Sequence, residues 1–179
     1  MIAMRTILTS LVVAALAGFL GMGAATAGTS ETITAFSAWQ GQGQVVQTGQ
    51  KRATFVGSIS GRVYVETDKG PIDAGNLVCP AMVVIDLDDG KQSGSAHCAI
   101  TANDGARVFM DLTCEGVHLV GCDGNATMTG GTERFAAVTG GGKFILRSSL
   151  KNLAAQAQGS VTETGNGIIY WRELHYQLP

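Results

Sequence analysis

The protein has 179 residues, with 12 lysine and arginine residues against 14 aspartate and glutamate residues, and only 15% of the chain is charged. This length corresponds to one domain, and the slightly acidic balance excludes a basic nucleic-acid-binding protein. The 25 glycines follow no strict three-residue period, which excludes a collagen.

Residues 1–27 have the three parts of an export signal. A short N-terminal segment carries Arg5, an apolar stretch follows, and the segment closes with small residues that end at Ala25-Thr26-Ala27. We predict a signal peptide cleaved after Ala27, so that the mature domain is 28–179 and is periplasmic or secreted. An uncleaved anchor is the alternative, since the apolar stretch approaches the roughly 20 residues that span a bilayer. Cleavage would leave no membrane span.

The mature sequence consists of candidate strands separated by glycine-containing turns, with no sustained helical periodicity. In Gly105–Cys114 apolar residues alternate with mostly polar ones, and Thr54–Thr67 alternates in the same way. Gln40–Gln50 is predicted to be a loop, and Ser149–Ala157 is a weak helical candidate. The predicted strands are 31–39, 53–67, 78–88, 91–102, 105–114, 118–129, 142–150, 159–164 and 168–178.

Four dipeptides predict tight hairpin turns because they supply the positive φ that such turns need. They are Asp89-Gly90, Asp104-Gly105, Asp123-Gly124 and Asn166-Gly167. Eight or nine strands joined by hairpins predict an all-β antiparallel meander. In 152 mature residues such a meander closes as a barrel or stacks as a sandwich, and we predict the barrel.

All four cysteines lie in the mature part of the chain. An even number in an oxidising compartment predicts disulfides, and we expect the pairs Cys79–Cys98 and Cys114–Cys122. The turn at Asp89-Gly90 would place Cys79 and Cys98 two positions out of register, and Cys114 and Cys122 flank a short loop. A zinc site is the alternative, but the spacing of paired zinc ligands is missing.

Residues 129–144 carry a glycine-rich motif. The stretch resembles the G-G-T-G-[KR]-F pattern of dirigent proteins and allene oxide cyclases, and the signature of small exported bacterial proteins with the same barrel. The resemblance implies an eight-stranded antiparallel barrel, with a lumen for an apolar small molecule, and assigns no catalytic residue. Glu133 and Ala137 replace two glycines of the pattern. The matching positions are Gly130, Gly131, Thr132, Arg134, Phe135, Gly140, Gly142 and Phe144.

Within that motif we expect Gly130-Gly131 to end a strand and Phe135 to pack into the core. Gly140–Gly142 would then let the chain reverse into the strand Lys143–Arg147. A phosphate-binding loop is the alternative, but nothing helical follows the glycines.

Two strand faces carry candidate ligand-binding residues. The alternation of side chains along the last strand predicts that Trp171, Glu173 and His175 lie on one face. This face would combine a stacking surface with an acid/base pair. Arg62, Tyr64 and Glu66 form a second such face. The alternative is that these side chains are ordinary surface groups.

Two further features are assigned structural roles. His118 lies in the short loop between Cys114 and Cys122, where we expect an exposed histidine without a catalytic role. Asp86, Asp88 and Asp89 are expected to shape a turn, and a calcium site is the alternative.

Three functions remain open. We expect an exported, non-catalytic binder of a small hydrophobic molecule, without cofactor or metal and without a nucleic-acid partner, and we expect it to form homo-oligomers. One alternative is a cyclase or isomerase, which needs Glu173, His175, Glu66 or Arg62 inside the cavity. Another is a structural or interaction protein of the cell envelope.

Overall fold

The computed structural model describes residues 28–155 and 159–179. The predicted signal peptide therefore lies outside the described residues. The described chain forms one 3-10 helix, Glu133–Phe135, and eight strands. The strands are β1 Ser30–Gly49, β2 Arg52–Val65, β3 Ile72–Asp86, β4 Lys91–Thr101, β5 Arg107–Val117, β6 Gly121–Gly131, β7 Thr139–Ala155 and β8 Ser160–Gln177.

The strands form a closed antiparallel barrel. Each strand pairs with the next one in the chain, and β8 pairs with β1 to complete the ring. The predicted all-β meander barrel is confirmed. Closure satisfies the backbone groups that an edge strand would leave unpaired.

Two long strands run through segments for which the sequence predicted breaks. The predicted loop Gln40–Gln50 falls almost entirely within β1, whose strand continues to Gly49. The predicted turn Asn166-Gly167 lies inside β8, where Gly167 pairs with Trp39. A Cβ atom at Gly167 would clash with the Arg147 backbone carbonyl of β7 and lie 3.0 Å from the Trp39 indole, so this glycine allows close packing within the sheet and does not turn the chain.

The other local predictions had mixed outcomes. Gly90 and Gly105 have positive φ values of 71° and 93° at strand ends, as predicted. Asp123-Gly124 lies within β6, and the preceding turn is formed by 118–120 with Leu119 at a φ of 66°. The helix predicted for Ser149–Ala157 was wrong as far as Ala155, because the residues up to Ala155 belong to β7. The rest of the predicted helix lies outside the described residues.

The glycine-rich motif forms the connection between β6 and β7. Gly131 ends β6 as expected, but the chain reverses through the 3-10 helix. The expected reversal at Gly140–Gly142 was wrong, because Gly140 and Gly142 lie within β7 and pair with Met128 and Ala126 of β6.

Side chains of the same motif support this connection. The Thr132 Oγ1 accepts a 3.0 Å hydrogen bond from the Arg107 backbone N–H. Phe135 is half-buried, and Phe144 is fully buried in the core. The guanidinium of Arg134 lies 4.4 Å from the centre of the Phe135 ring, so the helix is fixed by packing as well as by hydrogen bonds.

The side chains that fill the barrel interior follow the alternation of inward and outward positions along each strand. In β5, Met110 and Leu112 are buried as the alternation predicted, and in β2 Val63 is buried. Leu77 and Ile169, both without exposed surface, join them at mid-height. The middle of the lumen is therefore a packed apolar core.

Both predicted disulfides are present. Cys79 pairs with Cys98 at a Cα–Cα distance of 4.1 Å, and Cys114 with Cys122 at 5.7 Å. The predicted two-residue offset between Cys79 and Cys98 was wrong. The β3–β4 pairs on either side of these cysteines have a register that places Cys79 directly opposite Cys98. The second disulfide is the diagonal one, since Cys114 pairs with Gly124 in the ladder.

Within the described ranges, no helix has the length and apolar character needed to cross a membrane.

Candidate functional site

Two cavities open in the barrel, one toward each end. The large cavity, of about 440 Å³, lies where β1, β3 and β5 begin. The small cavity, of about 130 Å³, lies where those strands end. Of these two, the large cavity has the volume typical of small-molecule sites, about 300–1,000 Å³.

The wall of the large cavity is mainly apolar. Val63 and Val65 of β2 reach it because inward positions of a strand alternate with outward ones. Met110, Met128 and Trp171 contribute from β5, β6 and β8. A wall of flexible thioethers and a flat indole suits an apolar ligand, since methionine side chains adapt to irregular shapes.

Charged side chains at the large cavity are paired with one another. Arg134 contacts the Asp104 carboxylate, and Arg62 lies 3.3 Å from the carboxylate of Asp73. Because each carboxylate faces a guanidinium, these pairs leave no free charge of either sign at the rim.

Tyr176, at the same end, keeps its proton. Burial raises the pKa of its phenol to about 12, and a hydrogen bond to Glu31 adds to this effect. The phenol donates that hydrogen bond to the Glu31 carboxylate. Tyr176 therefore acts as a neutral wall residue at physiological pH.

Three buried polar atoms have no hydrogen-bond partner in the described part of the chain. They are the Ser37 Oγ, the Trp39 Nε1 and the Trp171 Nε1. A buried donor without a partner costs about 1–3 kcal/mol. Trp171 lines the large cavity and Trp39 the small one, and the Nε1 atoms of both are buried within the barrel wall.

A histidine spans the barrel beside the small cavity. The His118 Nδ1 lies 3.0 Å from the Gln92 Oε1, and its Nε2 lies 3.0 Å from the Glu163 Oε2. Gln92 belongs to β4 and Glu163 to β8, which are four strands apart in the ring of eight. The imidazole therefore joins opposite walls, and we call this group the His118 bridge.

The His118 bridge is compatible with either charge state of the ring. An imidazolium donates both hydrogen bonds. A neutral ring donates from Nε2 to the carboxylate, and Gln92 then turns its amide nitrogen toward Nδ1. The His118 and Glu163 side chains are only 20% and 16% exposed, so the expectation of an exposed loop histidine was wrong.

The structure separates the three residues predicted to share a face of the last strand. Trp171 is 1% exposed and faces the lumen, whereas Glu173 and His175 are exposed. Trp171 pairs with Ala35 and Leu174 with Ile33, so two residues of β8 oppose one of β1. This β-bulge reverses the alternation, and the shared-face prediction was wrong for that reason.

The second predicted face lies mainly outside the lumen. Arg62 and Glu66 are exposed, and Tyr64 stacks on Phe36 with ring centres 5.3 Å apart. All four residues that the enzyme alternative required inside the cavity, Glu173, His175, Glu66 and Arg62, are therefore exposed. The structure gives that alternative no support from them.

The acidic turn residues have the structural role that the sequence predicted. The Asp86 Oδ1 accepts a hydrogen bond from the Asp88 N–H, and the Asp89 Oδ1 accepts one from the Lys91 N–H. In the described residues, no group of three or more His, Cys, Asp or Glu side chains is placed to hold a metal ion.

Sequence reasoning missed Gln92 and Glu163, although a signal for Glu163 existed. Counting back in steps of two from the inward Trp171 passes Ile169, Gly167 and Gly165 and reaches Glu163. The predicted turn at Asn166-Gly167 interrupted that count. The same count from the buried Cys98 passes Ala96 and Gly94 and reaches Gln92, so both residues could have been placed on the inner face, although their meeting with His118 could not.

No protein-family model matches the chain, and no curated protein matches it. Among solved structures, the barrel is similar to that of a pterocarpan synthase dirigent protein, with 8% identity and a TM-score of 0.35. The alignment covers 81% of this chain and 93% of that chain.

Proposed function

We propose that the protein is a non-catalytic binding protein that holds a small, largely apolar molecule in the large cavity. The cavity volume of about 440 Å³, with its apolar wall, is the observation that carries this proposal. Folded barrels fill their interior with their own side chains unless a ligand space is kept. Here the packed apolar core at mid-height does not extend to the end of the lumen where the large cavity lies.

We also propose export to an oxidising compartment. The signal-like pattern of residues 1–27 supports it, and the two disulfides fit an oxidising environment. Association into a homo-oligomer remains a prediction, which the native mass of the purified protein tests.

Two alanines on β3 provide a matched test of the binding site. Ala74 lines the large cavity and Ala81 lines the small one. The Ala74→Phe substitution fills the large cavity, and Ala81→Phe is the control. The probe is N-phenyl-1-naphthylamine, a neutral apolar dye whose fluorescence rises when it leaves water.

We expect Ala74→Phe to weaken dye binding by about tenfold or more, a loss of about 1.4 kcal/mol. Ala81→Phe should change the affinity by less than about twofold, which is below 0.5 kcal/mol. Circular dichroism shows whether both variants keep the β-barrel. A dye that binds both variants and the wild-type protein equally, or none of them, contradicts the proposal.

A further inference from the structure

The glutamine- and glycine-rich segment of β1 has an outer face that the proposed function does not use. Gln40, Gln42 and Gln44 alternate with Gly41 and Gly43. Because successive side chains of a strand point to opposite faces of the sheet, the three exposed glutamines share the outer face. The segment therefore presents a row of amide groups to solvent.

The neighbouring strands continue this row with hydroxyl and amide side chains on both sides. Gln40 and Gln42 each pair with a serine of β2, and on the other side with an asparagine or a threonine of β8. Adjacent strands lie about 4.8 Å apart, and side chains on one face repeat about every 7 Å along a strand. We call this grid the amide–hydroxyl face, and its members are Gln40, Gln42, Ser58, Ser60, Thr164 and Asn166.

Two grooves run over the amide–hydroxyl face. Their volumes are about 670 Å³ and about 330 Å³, and both are lined by Gln40 and Ser60, so the grooves adjoin each other. Ala38 and Gly61 line the larger groove, and Gly165 lines the smaller one. These small residues leave room above the backbone for a ligand that lies flat on the sheet.

The side chains of the amide–hydroxyl face are available to a partner. Within the ranges 28–155 and 159–179, none of the six makes a side-chain hydrogen bond, whereas the adjacent Gln44 donates one of 3.4 Å to Thr162. Amide and hydroxyl side chains each donate and accept hydrogen bonds. The face therefore matches a ligand whose surface carries many groups of the same dual character.

The charges at the two grooves favour an uncharged ligand. Among the described residues, Arg62 is the single charged side chain that lines either groove. Its guanidinium lies 3.3 Å from the Asp73 carboxylate and donates a 3.2 Å hydrogen bond to the Asn76 Oδ1. An ionic ligand would therefore find no unpaired charge in the grooves.

The polarity of the face argues against two other occupants. An apolar ligand would remove water from amide and hydroxyl groups without replacing their hydrogen bonds, which is unfavourable. The buried centre of a stable protein–protein interface is enriched in apolar and aromatic side chains, and the six residues of the amide–hydroxyl face include none. A molecule rich in neutral hydroxyl groups meets neither obstacle.

We propose that the amide–hydroxyl face binds a neutral, extended glycan chain of the β-1,4-linked type, which lies across β8, β1 and β2. Such a chain is a flat ribbon with hydroxyl groups along both edges, and this shape suits adjoining shallow grooves on a sheet. The inference does not rest on the proposed function, because the large cavity lies on the inner side of the barrel. No covalent step is involved.

The test uses neutral hexasaccharides and isothermal titration calorimetry. Cellohexaose and chitohexaose are the β-1,4-linked probes, and maltohexaose, the α-1,4-linked isomer of cellohexaose, is the control. We expect at least one β-linked probe to bind with a Kd below about 1 mM and maltohexaose to bind at least about tenfold more weakly. Because no unpaired charge takes part, the affinity should stay within about twofold between about 0.01 M and about 1 M salt.

A double variant assigns the binding to the amide–hydroxyl face. Gln40→Leu combined with Gln42→Leu removes two amide groups from its centre and keeps side chains of similar size. We expect the affinity to fall by about tenfold or more, which corresponds to the loss of two hydrogen bonds. Gln177→Leu makes the same exchange at the exposed last residue of β8 and should change the affinity by less than about twofold. Circular dichroism shows whether the variants keep the barrel.

A measurement on the wild-type protein maps the site without any substitution. In a ¹H–¹⁵N spectrum, the β-linked hexasaccharide that binds should shift the backbone amide signals of residues 40–42, 58–60 and 164–166. The signals of β5, on the other side of the barrel, should not move.

Each contrary result overturns the inference. Absence of binding by both β-linked probes, tighter binding of maltohexaose, strong weakening by salt or equal binding by the double variant would each do so. If no probe binds and the native mass falls from oligomer to monomer in the double variant, the face is an interface between copies of the chain. Dye binding in the large cavity is measured separately, so this inference and the proposed function can fail independently.

Discussion

Glu133 adopts the left-handed backbone conformation, with a φ of 53° at the start of the 3-10 helix. The glycine-rich pattern that residues 129–144 resemble has a glycine at this position. Glu133 therefore keeps the left-handed backbone conformation although it replaces the glycine of the pattern. An exposed glutamate in this conformation is strained, because the close approach of its Cβ to the following carbonyl oxygen costs about 1–2 kcal/mol.

Glu133→Gly should therefore stabilise the protein, by about 0.5–1 kcal/mol after the larger chain entropy of glycine in the unfolded state is subtracted. Ala137→Gly is the matched control, because Ala137 has no positive φ and should lose about 0.5–1 kcal/mol. Urea unfolding midpoints measure both. Equal destabilisation by the two substitutions would contradict the assignment of strain to Glu133.

At the scale of elements, the β5–β6 turn is held to strands on both sides of the barrel. Its His118 backbone N–H donates a 2.9 Å hydrogen bond to the Gly90 carbonyl of the β3–β4 turn. The His118 bridge then adds contacts with β4 and β8. This arrangement crosses the small-cavity end, where Trp39 forms part of the wall.

His118→Ala should lower the free energy of unfolding by about 1–3 kcal/mol, because it leaves the mostly buried Glu163 carboxylate without its partner. The His97 ring lies 2.7 Å from the Asp111 carboxylate in an exposed pair, so His97→Ala is the control and should cost only about 0–1 kcal/mol.

Acrylamide quenching in a Trp171→Phe background reports on the same end of the barrel through Trp39. We expect His118→Ala to increase quenching and His97→Ala to leave it unchanged. Equal effects of the two histidine substitutions on both stability and quenching would show that the bridge does not shield Trp39 from solvent.

For the whole molecule, the disulfides link strand pairs at different depths. Cys79 and Cys98 are buried in the core, whereas Cys114 is partly exposed near the small cavity. Each bridge closes a short loop, with separations of 19 and 8 residues. The chain-entropy estimate gives about 2–4 kcal/mol of stabilisation for each bridge.

The purified protein, unfolded without a reductant, should show no titratable thiol, and reduction should release four. Peptide mapping should recover the pairs Cys79–Cys98 and Cys114–Cys122. Four free thiols before reduction would argue against both bridges and against the proposed oxidising compartment.

The local features of this chain were readable from the sequence because they depend on neighbouring residues. The alternation in β2 and β5, the turns at Gly90 and Gly105, and the pairing of the cysteines all follow from strand periodicity and from short loops. Together they were sufficient for the prediction of an antiparallel meander barrel.

Tertiary structure alone decided which side chains meet in the lumen. The bulge opposite Thr34 turns Glu173 outward and Leu174 inward, and a shift of one residue in register moves each following side chain to the other face. The His118 bridge joins strands that are four positions apart in the ring, and these strands face each other only when β8 closes on β1. The sequence by itself determined the antiparallel meander and its disulfides, since both arise from local pairing. The cavities and their polar groups depend on ring closure, which brings distant segments together.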